Sequence, residues 1–304
     1  MKIYVNRIPV NGPYGGGNLW TRALYDNVPI LGHELVPQTD DSIVPDAILL
    51  AGLDSEGFCV SAEQAVMYKM LSKPDVKLVV RVNENDARKQ TNTVDKRLIA
   101  LSGHVDGTVF VSDWIRDYFV DRGWVCKNNV VIVNGVDRDV FKPAEKRANE
   151  RVSIVSHHWS DNSRKGADVY EALDEFVGSP EGSSFTFTYV GRHRCHFKNT
   201  NVVRPLFGKA LGEELGKHDV YVSASLQEPG ANHVLESLAC ELPTFVHVDG
   251  GSTVEFCGRH SIFSSWKELR ERLIRRDFPR VAPGIELEPW ESCVKKYVSF
   301  VESL

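Results

Sequence analysis

The chain has 304 residues, of which 42% are hydrophobic and 25% charged, and its net charge is −5. This composition fits an ordinary globular protein with room for about two domains of about 150 residues. The negative balance argues against a nucleic-acid binder that works through bulk positive charge, and no nucleic-acid partner is expected.

The first ten residues, MKIYVNRIPV, are too short and polar for a signal peptide and carry the first predicted strand, 2–7. Residues 11–24, NGPYGGGNLWTRAL, follow with three glycines, Gly15 to Gly17, before an apparent helix. Glycine there lets backbone approach a ligand, and a helix N-terminus favours an anion. The spacing is not that of a dinucleotide fingerprint, so a flexible turn is the competing reading.

Further strands are predicted at 46–52, 77–82, 107–112 and 129–135, then at 151–158, 184–191, 219–225 and 243–251. Most are continuous apolar runs, the pattern of parallel strands buried on both faces. Helices are predicted over 61–72 and 112–123, each opened by a serine able to cap, and over 165–177 and 266–276. Strands alternating with helices predict α/β layers, doubly wound. The polar stretch 134–151 marks the boundary between a first domain, 1–145, and a second, 146–288. A last helix, 289–304, presents Cys293, Val294, Tyr297, Val298 and Val301 on one face and is expected to pack back on the first domain.

No window approaches 18 consecutive apolar residues, so any membrane contact would be peripheral. The six cysteines are scattered without a C-x-x-C pair, which points away from disulfides and zinc and toward a reducing, cytoplasmic setting.

Four segments at predicted strand ends carry chemistry. Besides the glycine loop there is RVNENDARK, 81–89, with five charged residues: Arg81, Glu84, Asp86, Arg88 and Lys89. A solvated loop competes there with a sugar or acid–base site. The third is SHHWSDNSRKGADVY, 156–170, where Arg164 and Lys165 would stand beside a helix N-terminus and suit a diphosphate. His157 and His158 are a poor metal pair, because neighbours on an extended chain point to opposite faces. The fourth is LQEPGANHVLESLACELP, 226–243. Glu228 falls in the loop after a strand, Pro229 and Gly230 shape the turn, and a helix opens near Ala231. Glu236 lies nearly two turns along. Carboxylates accept hydroxyl donors well, so two of them can hold a sugar and a ribose. Asp137-Arg138-Asp139 has the D-x-D spacing of some metal–diphosphate sites but lies in the interdomain connection, and no metal is expected.

Together these segments resemble the retaining nucleotide-sugar glycosyltransferases of family 4. The resemblance rests on GGGNLW, VFVSDWIRDYF, VVIVNGVDRDVFKP, RKGADVYEAL and EPGANHVLESLACELP, in the family's order. It implies the GT-B fold, two Rossmann-like domains facing a cleft, and an enzyme of glycan biosynthesis. That enzyme would move a sugar from a nucleoside-diphosphate sugar to an acceptor hydroxyl, with retention and without metal or other cofactor.

By the resemblance Arg164 and Lys165 bind the donor diphosphate, Glu228 holds the transferred sugar and Glu236 the ribose. Gly16, Gly17, His158, Pro229, Gly230, Ala231 and Asn232 complete the donor site. The family's first-domain histidine has no counterpart, and Arg81, Asn83, Asp86 and Arg88 are the acceptor-side candidates. The acceptor would be a glycan, a lipid-linked group or a protein. An epimerase of the same fold and a non-catalytic sugar- or nucleotide-binding protein are the competing readings.

Overall fold

The computed structural model describes residues 1–36, 43–54, 59–144, 150–281 and 283–304. Two compact units emerge: Met1–Gly135 with Glu288–Leu304, and Val136–Leu287. The division falls at Gly135 rather than at the expected 145/146. Phe141 is buried and Val140 lies against Gly212 within the second unit.

The first unit runs β1 (Lys2–Val5), α1 (Gly15–Asn27), β2 (Glu34–Val36), β3 (Ala47–Leu50), α2 (Ala62–Leu71) and β4 (Lys77–Val82). It continues with α3 (Asp86–Lys89), α4 (Val94–Leu101), β5 (Gly107–Phe110), α5 (Asp113–Val120) and β6 (Asn129–Val131). The second unit runs β7 (Val152–His158), α6 (Ala167–Val177), β8 (Phe185–Gly191), β9 (Asn201–Val203), α7 (Gly208–Leu215) and β10 (Val220–Ser223). It ends with α8 (Asn232–Ala239), β11 (Thr244–His247), α9 (Ser252–Cys257), β12 (Ile262–Phe263) and α10 (Trp266–Ile274). The last helix, α11 (Trp290–Ser303), belongs to the first unit.

Each unit holds a six-stranded parallel sheet, in the orders β2-β1-β3-β4-β5-β6 and β12-β11-β10-β7-β8-β9. The continuous apolar runs are explained by cover on both faces. Tyr4, Ile48, Leu78 and Val80 face α2, α4 and α5, whereas Ile3, Val5, Leu49 and Val79 face α1 and α11. The five apolar residues of α11 are all buried, and Tyr297 meets Trp20 of α1 with ring centroids 5.5 Å apart. Lys77 Nζ donates to the Val301 carbonyl at 2.9 Å and ties the helix end to β4.

The strands that sequence patterning does not reveal are β2, β9 and β12, of two or three residues each at the sheet edges, too short to show a period. Helices α4 and α7 were also not singled out.

Chain order reverses between β1 and β3 in the first sheet, and between β7 and β10 in the second. Open α/β sheets bind ligands beyond the carboxyl ends of the strands at such switch points. Among the described residues no helix is long and apolar enough to cross a membrane.

Candidate functional site

The loops after β7 and β10 meet at the second unit's switch point. Asn162 Oδ1 accepts from the Arg164 amide at 2.8 Å and starts a 3₁₀ turn, Ser163–Lys165. Gly166 closes that turn at φ 80° and opens α6. A Cβ at Gly166 would lie 2.3 Å from the Ala224 carbonyl oxygen, so glycine is what lets α6 begin against the end of β10. The Leu226 amide donates to the Arg164 carbonyl at 2.8 Å and joins the two loops.

Lys165 Nζ consequently reaches Glu228 Oε1 at 2.6 Å, with both side chains about nine-tenths covered. Arg164 is half-buried, and its Nε has no hydrogen-bond partner among the described residues. The backbone of Glu228 is clamped by the 249–252 loop: Gln227 N donates to Asp249 O at 2.8 Å, Glu228 N to Gly250 O at 3.1 Å, and Ser252 N to Glu228 O at 2.9 Å. Gln227 sits at φ 56°, a left-handed conformation uncommon for a non-glycine residue. Strain of this kind concentrates where surrounding structure holds a functional side chain in place.

Pro229 and Ala231 are buried, and Gly230 and Asn232 half-buried, at the start of α8. No side chain caps that helix, although the Ala231 amide donates to Ser252 Oγ at 3.2 Å. One turn along, Glu236 is buried and Oε2 lies 2.7 Å from His157 Nε2. A carboxylate only accepts, so His157 donates from Nε2, and its Nδ1 lies 3.1 Å from the Tyr221 hydroxyl, which also donates to the His157 carbonyl at 3.3 Å. Burial pushes the Tyr221 phenol well above its ordinary range, so it stays protonated and able to donate.

The two adjacent histidines part as strand alternation requires. His157 serves Glu236, whereas His158 Nε2 shares a hydrogen bond of 2.8 Å with the Tyr170 hydroxyl of α6. His158, named from sequence as a donor-site residue, is 3% exposed and packs on Tyr170, Tyr189 and His233. Its place in the structure is a packed one. Tyr221 and His233 were not named from sequence, and His157 was named only with His158 as a poor metal pair. The signal that could have found them is parity: His157 and Tyr221 are buried polar positions on strands that flank the switch point.

The first unit rearranges the other candidates. Gly15 to Gly17 form the first turn of α1, and a Cβ on Gly17 would lie 2.4 Å from Arg7 Nη1. That face of Gly17 is taken by the chain's own guanidinium. Arg81 is 3% exposed, donates to Asn134 Oδ1 at 2.8 Å and stacks 4.9 Å from the Trp20 ring. It braces α1 and the loop after β6 from inside.

Asp86 is spent on capping. It accepts from the Thr91 hydroxyl at 2.5 Å and from the amides of Val94 and Asp95 at 3.0 and 3.1 Å, fixing the start of α4. Arg88 is half-exposed, and its amide donates to Asn85 Oδ1 at 2.6 Å. Asn83 lines a cavity, shared with Arg7, Glu84 and Lys89. Asp137 likewise closes its own turn, with Oδ1 accepting from the Asp139 amide at 3.0 Å.

No protein-family model matches the chain, and no curated protein matches it. Solved structures do. Sucrose-phosphate synthase from Thermosynechococcus elongatus superposes with a TM-score of 0.73 at 13% identity, over 99% of this chain and 98% of that one. HepE from Anabaena, solved in complex with UDP and glucose, gives a TM-score of 0.73 at 12% identity over all of both chains. A glycosyltransferase from Rickettsia africae gives 0.67 at 14% identity, over 99% of this chain and 97% of that one. At these identities the likeness establishes the fold. The chain has the GT-B fold, with two doubly wound parallel units.

Proposed function

We propose that this chain is a glycosyltransferase that moves a sugar from a nucleoside-diphosphate sugar to an acceptor hydroxyl, with retention and without a metal. The observation that carries this reading is the cluster at the β7/β10 switch point: Arg164, the Lys165–Glu228 pair, and Glu236 held by His157. HepE, which shares the fold, was solved with UDP and glucose.

In this reading the diphosphate lies by Arg164 and Lys165 at the entry to α6 and the start of α8. Two cations and helix-end amides stabilise the charge that develops as the bond between the anomeric carbon and the phosphate oxygen breaks. The acceptor oxygen forms the new bond to the same carbon, and its proton leaves on the departing diphosphate. Glu228 accepts from hydroxyls of the transferred sugar, and Glu236 from those of the ribose. Preorganised groups of this kind need no reorganisation at the moment of reaction.

The test is calorimetry with UDP, beside turnover of UDP-glucose in excess chelator with and without added acceptor. UDP binding and acceptor-stimulated release of UDP in chelator support the reading. Turnover without acceptor that interconverts sugars points to an epimerase, and binding without any turnover to a non-catalytic protein. Loss of activity in chelator, restored by manganese, overturns metal independence.

A further inference from the structure

Helix α10 ends on a surface unlike the rest of the chain. Residues 259–280 carry seven Lys or Arg against three Asp or Glu, a net charge of +4. The whole chain carries −5, so the other residues carry −9. Arg259, Lys267, Arg275, Arg276 and Arg280 are exposed. Among the described residues no carboxylate pairs with any of these five, whereas Arg270 pairs with Glu181 and Arg272 with Asp277 at 3.0 Å.

The cations share one rim of the second unit. Arg272 donates from Nη2 to the His260 carbonyl at 2.7 Å and from Nη1 to the Ile262 carbonyl at 3.1 Å. These bonds tie the 3₁₀ turn Arg259–Ser261 to the last turn of α10. Arg276 lies 5.9 Å from the ring of Phe185, the first residue of β8. The patch therefore runs from the start of β12 toward the start of β8, four strand steps apart, on the order of 19 Å. This is the amino-terminal edge of the sheet. Lys165 and Glu228 follow the carboxyl ends of β7 and β10, and the seven residues of β7 put about 20 Å between the two edges.

Local structure does not account for the charge. Cations complement the dipole at a helix C-terminus, which covers Arg272 and Arg275. Arg259, Lys267 and Arg280 lie outside that last turn. Arg276 sits at φ 54°, where glycine is the usual residue, and its amide closes the helix on the Leu273 carbonyl at 2.9 Å. An arginine is carried there against backbone preference.

The chemistry of the patch selects its partner. Five unpaired cations spread along a rim match a sheet of anionic groups rather than one bound anion. Ile274 is 40% exposed and stands two turns beyond Lys267 on the outer face of α10. An apolar side chain among cations is the pattern of a peripheral membrane contact. Trp266 and Phe278 pack against the core, so neither ring is presented for stacking on bases.

We propose that the C-terminal end of α10 and the turn before β12 dock on an anionic phospholipid surface. Arg259, Lys267, Arg275, Arg276 and Arg280 lie over the headgroups, and Ile274 enters the interface. The switch-point cluster stays on the opposite edge of the unit. The proposal does not rest on the glycosyltransferase reading.

Co-sedimentation of the whole protein with phosphatidylcholine vesicles, with and without an equal part of phosphatidylglycerol, tests it. A DNA duplex serves as a polyanion that is not a lipid. Binding is expected to the anionic vesicles only, and it should weaken as salt rises. Each cation near such a surface contributes about fivefold, so Arg275→Gln/Arg280→Gln should bind roughly 25-fold more weakly, and roughly a hundredfold with Arg259→Gln added. Melting temperatures should match the parent's. Lys127→Gln/Lys209→Gln, which makes the same change in net charge at exposed sites elsewhere, should bind like the parent.

Equal binding to neutral vesicles, no binding to either, unchanged binding in the triple variant, or an equal loss in the control pair overturns the proposal. Tighter binding to the duplex than to vesicles, lost in the same variants, overturns the lipid assignment in favour of a nucleic-acid contact.

Discussion

Lys165 Nζ lies 2.6 Å from Glu228 Oε1, joining two residues 63 positions apart that sequence reasoning assigned to different parts of a donor. The pair means that the cation proposed for the diphosphate is held by the carboxylate proposed for the sugar. Removing either partner therefore affects the other. Lys165→Ala should weaken UDP binding by roughly ten- to a hundredfold, since a charge-assisted bond contributes about 1.5–3 kcal/mol. Glu228→Gln should leave UDP affinity equal or tighter, because Lys165 loses its competitor, while sugar transfer falls. Calorimetry beside a transfer assay reads both, and weaker UDP binding in Glu228→Gln refutes this coupling.

The same pair makes a stability prediction. Lys165→Ala leaves a largely covered carboxylate without its cation, and breaking such a pair destabilises by several kcal/mol when burial is complete. Since about a tenth of each side chain is exposed, a loss of about 1–3 kcal/mol is expected. The double variant Lys165→Ala/Glu228→Gln should recover part of it. Urea unfolding of the four proteins closes the cycle, and additive losses would show that the two groups do not interact.

His157 fixes the carboxylate of Glu236 from behind. His157→Phe keeps a ring but removes the donor, so Glu236 loses its partner at 2.7 Å. UDP affinity should fall about threefold to tenfold, in line with one hydrogen bond of about 1 kcal/mol. Glu236→Gln should weaken UDP further, and His157→Phe should add little on top of it. Independent, multiplying effects would mean that His157 does not act through Glu236.

Gly166→Ala should cost about 2–4 kcal/mol, because it combines positive φ with a Cβ 2.3 Å from a backbone oxygen. Gly208→Ala is the control: φ is 55° there, but nothing lies within 4 Å of the added Cβ, so only about 1 kcal/mol of backbone strain is expected. Thermal or urea unfolding compares them. Equal costs would show that close approach of α6 to β10 is not what Gly166 provides.

Asp174 on α6 gathers the loop after β8. Its carboxylate accepts from the Thr200 hydroxyl at 2.6 Å and from the amides of Lys198, Asn199 and Thr200. Burial alone would raise this carboxyl, but the Thr200 hydroxyl and those amides outweigh it and hold it below its ordinary range. A depressed carboxyl contributes stability that is present above the unfolded value of about 3.9 and is lost as pH falls through the folded one. Asp174→Asn should therefore cost about 2–4 kcal/mol at pH 7 and pH 5, and less at pH 3. A cost that is the same at pH 3 and pH 7 would show that the ionised form is not what the loop binds.

The sequence by itself determined the local physics. Continuous apolar runs announced parallel strands covered on both faces, and the runs at β1, β3, β4, β5, β7, β8, β10 and β11 were found where predicted. The apolar face of α11 was predicted residue by residue, because a helix's period is carried by adjacent residues. The positions of Arg164, Lys165, Glu228 and Glu236 at strand ends and a helix start could likewise be read from local pattern.

What the tertiary structure alone decided is which of these groups meet. Pairing of Lys165 with Glu228 follows from β7 and β10 being neighbours, a consequence of strand order that no local period encodes. Strand parity gave Glu236 to His157 rather than His158. In the charged run after β4, only three-dimensional bookkeeping of hydrogen bonds separates Arg81 and Asp86, spent on bracing and capping, from Asn83, Glu84 and Lys89, which line a cavity. Residue type fixes what a side chain can donate or accept; partners distant in sequence decide whether that capacity is already spent inside the fold or remains for a ligand.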